Sequence, residues 1–213
     1  MHTVGVIGSA SVGQTLAAGF KKHGYEVRIG SRDPSKLAEF SAKSEIPAGT
    51  FGEVAAWADT IVLAVKGSVA ESALGEAGAA ALAGKVVIDT TNPIAEGPPV
   101  DGVLQYFTGP NESLMERLQA AHPKARFVKA FNSVGNGRMV NPSYRGGKPT
   151  MFYCGNDDAA KADVKTVLEQ FGWEPADMGR AAAARAIEPL CQLWCIPAFL
   201  RGSRTHAFKV LWE

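Results

Sequence analysis

A doubly wound, mostly parallel α/β sheet with a helical C-terminal extension is the fold class that this 213-residue sequence predicts. Three observations predict it. Apolar Val/Ile runs alternate with amphipathic or Ala-rich stretches along most of the chain, as repeated strand–helix–strand units require. The first run, Val4 to Ile7, passes directly into the glycine turn Gly8-Ser9-Ala10-Ser11-Val12-Gly13 and then into a helical pattern. A second strand follows and ends on Ser31 and Arg32, roughly 20 residues past the turn, which is the spacing of a Rossmann-type dinucleotide-binding unit.

The elements follow in order. The helix opens at Gly13 and runs over residues 14–23, with Ala17, Ala18 and Gly19 small enough for close packing on a sheet. Residues 34–43 and 53–57 read as helices, and 59–65 as a buried strand. Ser68 caps one Ala-rich helix reaching about Leu82, before a strand over 85–90. Asn92-Pro93 breaks the chain, and the Gly/Pro-rich segment 94–110 is the longest irregular stretch, a substrate-side loop or an insertion. Asn111 caps a helix over 113–121; a strand over 125–131, a strand over 150–154, a helix over 159–170 and a strand over 173–178 follow. The last helix spans 180–200 and contains Pro189 and Pro197, each of which should kink or end it. With no internal repeat or linker, residues 1–213 form one domain, 180–213 being its helical extension.

The glycine turn places backbone N–H groups and a helix N-terminus where a pyrophosphate would lie. Ala10 stands at the middle position, where a methyl group costs some clearance but leaves the amide donors in place. The end of the second strand then selects the nucleotide. A carboxylate there would bond a ribose 2′-hydroxyl and repel a 2′-phosphate, whereas Ser31 and Arg32 offer a hydroxyl and a guanidinium fork to that phosphate. Lys36 adds a second cation; Asp33 leaves the unphosphorylated nucleotide as the alternative. The expected cofactor is NADP(H).

Bulk properties exclude other classes. Net charge +1 with 20% charged residues gives no general attraction to nucleic acid or to an anionic membrane. The sequence shows neither an apolar run of membrane-spanning length nor a basic leader, so a cytoplasmic protein is expected. Cys154, Cys191 and Cys195 should be reduced thiols, small and buried; Cys191 and Cys195 share a helix face but no further ligand completes a metal site.

In an open parallel sheet the ligand crosses the carboxyl edge. Four strand ends there carry candidate segments: the glycine turn, Val65-Lys66-Gly67, Thr90-Thr91-Asn92-Pro93, and Asn132-Ser133-Val134-Gly135. Asn92 and Asn132 can donate and accept, which suits a carboxamide such as that of nicotinamide, although Asn before Pro is equally a turn former. None of His2, His23, His122 and His206 adjoins the expected groove, and Lys66 is its only obvious lysine. Oxidation of an alcohol needs a group to move the hydroxyl proton, while hydride transfer to a conjugated ring needs chiefly alignment. A ring acceptor is therefore favoured, with no catalytic acid–base residue.

The chain resembles the deazaflavin-type NADP oxidoreductase family, which includes NADPH:coenzyme F420 reductases. The shared segments are the glycine turn with Ile29-Gly30-Ser31-Arg32, Ala64-Val65, Thr91-Asn92-Pro93, Val128-Lys129-Ala130-Phe131-Asn132-Ser133-Val134-Gly135, and Ala186-Ile187-Glu188-Pro189-Leu190 followed by Leu193-Trp194. They span nearly the whole chain. A similar architecture occurs in the reductase domain of six-transmembrane ferric reductases, whose whole architecture is not expected here because this sequence shows no membrane span.

The resemblance implies a cradle of Gly8, Ser9, Ala10, Ser11, Val12 and Gly13, with Ser31, Arg32 and Lys36 on the 2′-phosphate. Ala64, Val65, Lys66, Asn92, Pro93, Ala130 and Asn132 would surround the ribose and nicotinamide. An acceptor ring would lie between Pro93, Val134, Gly135 and the last helix near Leu193 and Pro197. Lys66 departs from the pattern, a surface cation or a contact to an anionic acceptor tail. The expected activity is direct hydride transfer between NADP(H) and a deazaflavin of F420 type. The alternatives are a flavin, quinone, imine or ferric-chelate acceptor, or an NADPH-binding module without turnover. The last helix is apolar on several sides, so a homodimer closing each acceptor pocket is expected.

Overall fold

The computed structural model describes residues 3–213, so His2 lies outside the described residues. The strands are β1 (Thr3–Ile7), β2 (Glu26–Gly30), β3 (Ala48–Gly49), β4 (Thr60–Leu63), β5 (Val86–Asp89), β6 (Arg126–Lys129), β7 (Thr150–Gly155) and β8 (Glu174–Asp177). They form one sheet in the order β3-β2-β1-β4-β5-β6-β7-β8. All pairs are parallel except β6 with β7, which is antiparallel through Val128–Gly155 and Lys129–Cys154. The order reverses between β1 and β4, so the switch point opens directly beyond Ile7.

The helices are α1 (Ser11–Lys22), α2 (Ala38–Ser44), α3 (Phe51–Trp57), α4 (Ala70–Ala77), α5 (Ala79–Leu82), α6 (Leu114–Ala121), α7 (Asp158–Gln170), α8 (Ala184–Ile187) and α9 (Pro189–Arg201). Alternate residues of each central strand bury on opposite faces. Val4, Val6, Val62, Ile88 and Val128 join Leu16, Phe20, Val164 and Leu168 of α1 and α7. Ile7, Ile61, Leu63, Val87 and Phe127 join Phe51, Leu74, Leu118 and Ile187 on the other side. Both faces being covered explains why the strands read as continuous apolar runs.

Several boundaries differ from the sequence reading. The first helix begins at Ser11 rather than Gly13, because its N-cap Ala10 is already extended. Ser68 caps nothing: it lies in a 3-10 turn over Gly67–Val69, and the single helix expected as far as Leu82 is divided by Gly78, at φ 89°. The cap of α6 is Ser113, not Asn111, through reciprocal bonds in which Glu116 N donates to Ser113 Oγ and Ser113 N to Glu116 Oε2. The same device starts α3 at Thr50 and Glu53, and β3 adds a short edge strand beyond β2. The last helix is three pieces: a 3-10 turn over Ala181–Ala183, α8, and α9 beginning on Pro189, with Pro197 inside it. Pro189 is tolerated as a first-turn residue, whose N–H has no intrahelical partner to lose.

The 94–110 segment is tied to α9, Gln192 donating to Leu104 O at 2.7 Å and Tyr106 Oη to Glu188 O at 2.8 Å. Burial pushes the Tyr106 hydroxyl pKa far up, so it remains a donor. Past Gly202 the tail turns back along the sheet: Thr150 N donates to Phe208 O at 2.9 Å and Val210 N to Thr150 Oγ1 at 3.0 Å. Among the described residues no helix is long and apolar enough to cross a membrane.

Candidate functional site: a groove at the carboxyl edge of the sheet

Five neighbouring parallel strands, β2, β1, β4, β5 and β6, end on one edge, and each delivers a predicted site segment there. Gly8 leaves β1 at φ 134°, and a Cβ on it would stand 2.2 Å from Ala64 O. A Cβ on Gly13 would stand 1.9 Å from Gly8 O. Both contacts are impossible for any side chain, so glycine at these two positions is a steric requirement of the turn. The middle position carries no such requirement. Ala10, at φ −83°, is in ordinary extended backbone and exposed, which explains why alanine serves there.

No side chain caps α1 and its first turn contains no acid. Its leading N–H groups therefore face the edge of the sheet without an internal partner, an arrangement suited to phosphate oxygens. Gln14 Nε2 donates to Ser9 O at 2.8 Å and pins the turn. Ser31 Oγ donates to Ser9 Oγ at 3.3 Å and accepts from Asp33 N at 3.2 Å, joining the turn to the end of β2. Beside it Arg32 is exposed and has no ion-pair partner among the described residues. Lys36 reaches Asp33 at 3.7 Å, and Asp33 is held below the ordinary carboxylate range chiefly by the Ser35 hydroxyl. The Asp33 carboxylate is thus turned toward Ser35 and Lys36.

At the other end of the groove the two expected amides meet. Asn132 Nδ2 donates to Asn92 Oδ1 at 3.0 Å and to Ile187 O at 2.9 Å, and Asn92 Nδ2 donates to Asn132 O at 2.9 Å. Asn92 is largely spent on this pairing, whereas Asn132 Oδ1 is buried with no partner. An orphaned acceptor of this kind fits the N–H of a carboxamide. Val65 is half-buried at the end of β4 and Lys66 is exposed beside it, while Ala64, Pro93 and Ala130 are buried. Ala130 is fully buried, two residues before Asn132.

The expected acceptor residues are less uniform. Val134 is buried, Gly135 and Pro197 are half-buried, and Leu193 points outward, 55% exposed. The side chain that meets Gly135 is Trp194: a Cβ on Gly135 would stand 2.9 Å from Trp194 Cη2. Trp194 Nε1 donates to His206 O at 2.9 Å, and the two rings stack at 5.0 Å. His206 is therefore one side chain from Gly135, which corrects the expectation that no histidine comes near this region. Folding of the tail, invisible in the sequence, brings it there. His23 and His122 lie at helix ends away from the groove.

Sequence reasoning also passed over a buried ionic cluster beneath the groove. Lys129 Nζ, wholly buried, lies 2.7 Å from Asp89 Oδ2 and 2.9 Å from Glu188 Oε1, and donates to Thr91 O at 2.9 Å. Asp89 Oδ1 accepts from Thr91 N and Thr91 Oγ1 at 2.9 and 2.7 Å. Glu188 accepts from Leu114 N and Met115 N at the start of α6. Burial alone would lower the Lys129 pKa; Asp89 and then Glu188 outweigh it and hold the ammonium above its ordinary value. The sequence signal was a charge at the buried end of each of two strands, Asp89 on β5 and Lys129 on β6.

Cys154, Cys191 and Cys195 are free thiols, with Cys195 only partly buried. Among the described residues no cluster of three metal-ligating side chains occurs.

These features find their counterparts in known proteins. Residues 3–93 match the family described as NADP oxidoreductase, coenzyme F420-dependent. A crystal structure from Arthrobacter sp. FB24, provisionally assigned as an F420-dependent NADP reductase, is 33% identical and covers 100% of both chains at a TM-score of 0.93. The metalloreductase STEAP3 of Rattus norvegicus is 30% identical over 202 residues, 92% of this chain but 38% of that protein. The chain thus spans little more than a third of the curated relative's length. An imine reductase from Streptomyces aurantiacus shares the fold at 19% identity and a TM-score of 0.68, covering 93% of this chain and 63% of that one. The chain belongs to the coenzyme F420-dependent family of NADP oxidoreductases.

Proposed function

We propose that residues 1–213 act as a single-domain, cytoplasmic NADPH-dependent reductase that passes a hydride from nicotinamide to a deazaflavin ring of the F420 type. The observation that carries the cofactor half is the carboxyl-edge constellation: Gly8 and Gly13 bring the backbone in close, α1 opens without an acid, and Arg32 stands exposed beside Ser31. The 33% identity over the full length of the Arthrobacter protein supports the acceptor half.

In this reading Ser9 to Gly13 bind the pyrophosphate, and Ser31, Arg32 and Lys36 bind the 2′-phosphate. The buried Asn132 Oδ1 accepts from the carboxamide, which fixes the face that the nicotinamide presents. NADPH supplies two electrons and one hydrogen as hydride, and the acceptor ring takes a further proton from solvent. The protein supplies alignment and a partly dry slot, bounded by Pro93, Val134, Gly135 and Trp194.

Exposed Leu193, Phe199 and Leu200 on α9, with Leu211 and Trp212 in the tail, support a homodimer built on this face. Light scattering at micromolar concentration tests that assembly, and a monomer refutes it. For the reaction, NADPH oxidation is followed by absorbance with F420, FMN, a quinone, a cyclic imine and ferric citrate side by side. A clear preference for F420 is expected. A preference for the ferric chelate would move the assignment toward the activity that the STEAP3 name describes, and tight NADPH binding without oxidation by any acceptor would reduce the chain to a nucleotide-binding module.

A further inference from the structure

We propose that Lys129 is a positioning residue for the nicotinamide end of the groove, holding the Asn92–Asn132 pair at one spacing through the segments on which the two amides stand. The inference rests on the NADPH reading above. The ammonium donates to Thr91 O and is ion-paired with Asp89 Oδ2 and Glu188 Oε1, so it joins two segments, the end of β5, which carries Asp89 and Thr91, and the start of α9. Thr91 immediately precedes Asn92, and its backbone and hydroxyl are both bound to Asp89. Glu188 immediately follows Ile187, whose carbonyl accepts from Asn132. Asn132 itself lies three residues beyond Lys129 on the same strand end. The Thr91 and Glu188 contacts thus each stand one residue from a group of the amide pair, and Lys129 stands three residues from Asn132.

Glu188 takes the first N–H groups of α6, which offset the second carboxylate against the single ammonium. A core joined by packing alone would not need such groups, since apolar residues of similar volume often stabilise a fold as well as a buried ion pair does. What directional bonds add is a fixed separation between β5, β6 and the start of α9. Displacement of a reacting group by about 1 Å can cost on the order of 100-fold in rate, so that separation matters at the nicotinamide.

The test compares wild type, Lys129→Met, and the triple variant Lys129→Met/Asp89→Asn/Glu188→Gln, which removes every charge of the cluster while keeping its volume. The triple variant carries the test if the single one does not fold. Two ligands separate the ends of the groove: 2′,5′-ADP, which lacks nicotinamide, measured by calorimetry, and NADPH, whose bound nicotinamide is read by fluorescence anisotropy and lifetime. The expected result is a folded variant that holds 2′,5′-ADP within about twofold of wild type, while bound NADPH loses the anisotropy and lifetime of a fixed ring. An unchanged nicotinamide signal, or an equal weakening of both ligands, would overturn the proposal by making the cluster a matter of folding alone. Failure of wild type to bind 2′,5′-ADP would overturn the cofactor reading first, and this inference with it.

Discussion

Replacing Arg32 by alanine should separate the two pyridine nucleotides. Arg32 is exposed and has no ion-pair partner among the described residues, so its loss should leave stability within about 0.5 kcal/mol. A hydrogen bond from a charged donor to a charged acceptor is worth about 1.5–3 kcal/mol, and about 1.4 kcal/mol is tenfold in affinity. NADPH should therefore bind about 10- to 150-fold more weakly. The lower end is expected, because Lys36 is only loosely held: its contact to Asp33 is 3.7 Å long, and an exposed pair of that kind is worth about 0–1 kcal/mol. Calorimetry with NADPH and NADH is the assay, run at two salt concentrations because an exposed contact is screened. NADH affinity should not change. Equal losses for both nucleotides, or no loss for NADPH, would refute the assignment of this strand end to the 2′-phosphate.

Four further outcomes follow from the geometry. Gly13→Ala puts a methyl carbon 1.9 Å from Gly8 O, so the turn must open and calorimetric NADPH binding should be lost; retained binding would show that the turn does not cradle the pyrophosphate. Glu188→Ala leaves the α6 N–H groups and part of the Lys129 charge without a partner, and urea unfolding should show a loss of about 3–5 kcal/mol, with less than about 1 kcal/mol counting against the cluster. Cys195 should be alkylated first, because the Cys191 thiol hydrogen-bonds to it and lowers its pKa, while burial pushes Cys154 up to about 12 and the same hydrogen bond, then burial, pushes Cys191 up; mass spectrometry after brief iodoacetamide treatment reads the order. Glu116, whose pKa is lowered chiefly by the paired Arg185 guanidinium, contributes stability that is complete above its unfolded pKa and disappears as pH falls through the lower folded one. Glu116→Gln should therefore flatten the acid limb of a stability–pH profile, and an unaltered limb would count against the pairing.

The sequence by itself determined the sheet, its carboxyl edge and the glycine-turn end of the groove. Each depends on local chemistry: strand periodicity, the two glycines whose backbone forbids a Cβ, and a cation where an acid would otherwise stand. Capping was legible in principle, since Thr50 and Ser113 each precede a glutamate by three residues. The break at Gly78 was masked by the helix-favouring residues next to it, Glu76 and Ala77 before and Ala79, Ala80 and Ala81 after.

Only the tertiary structure decided the other end, where the two amides meet. It paired Asn92 with Asn132 and left one oxygen unpartnered, set Trp194 on Gly135 with His206 behind it, and gathered Asp89, Lys129 and Glu188 from positions 40 and 59 residues apart. Contacts across such separations depend on how strands, helix starts and the tail are brought together in space, and no spacing within a short stretch of sequence encodes that.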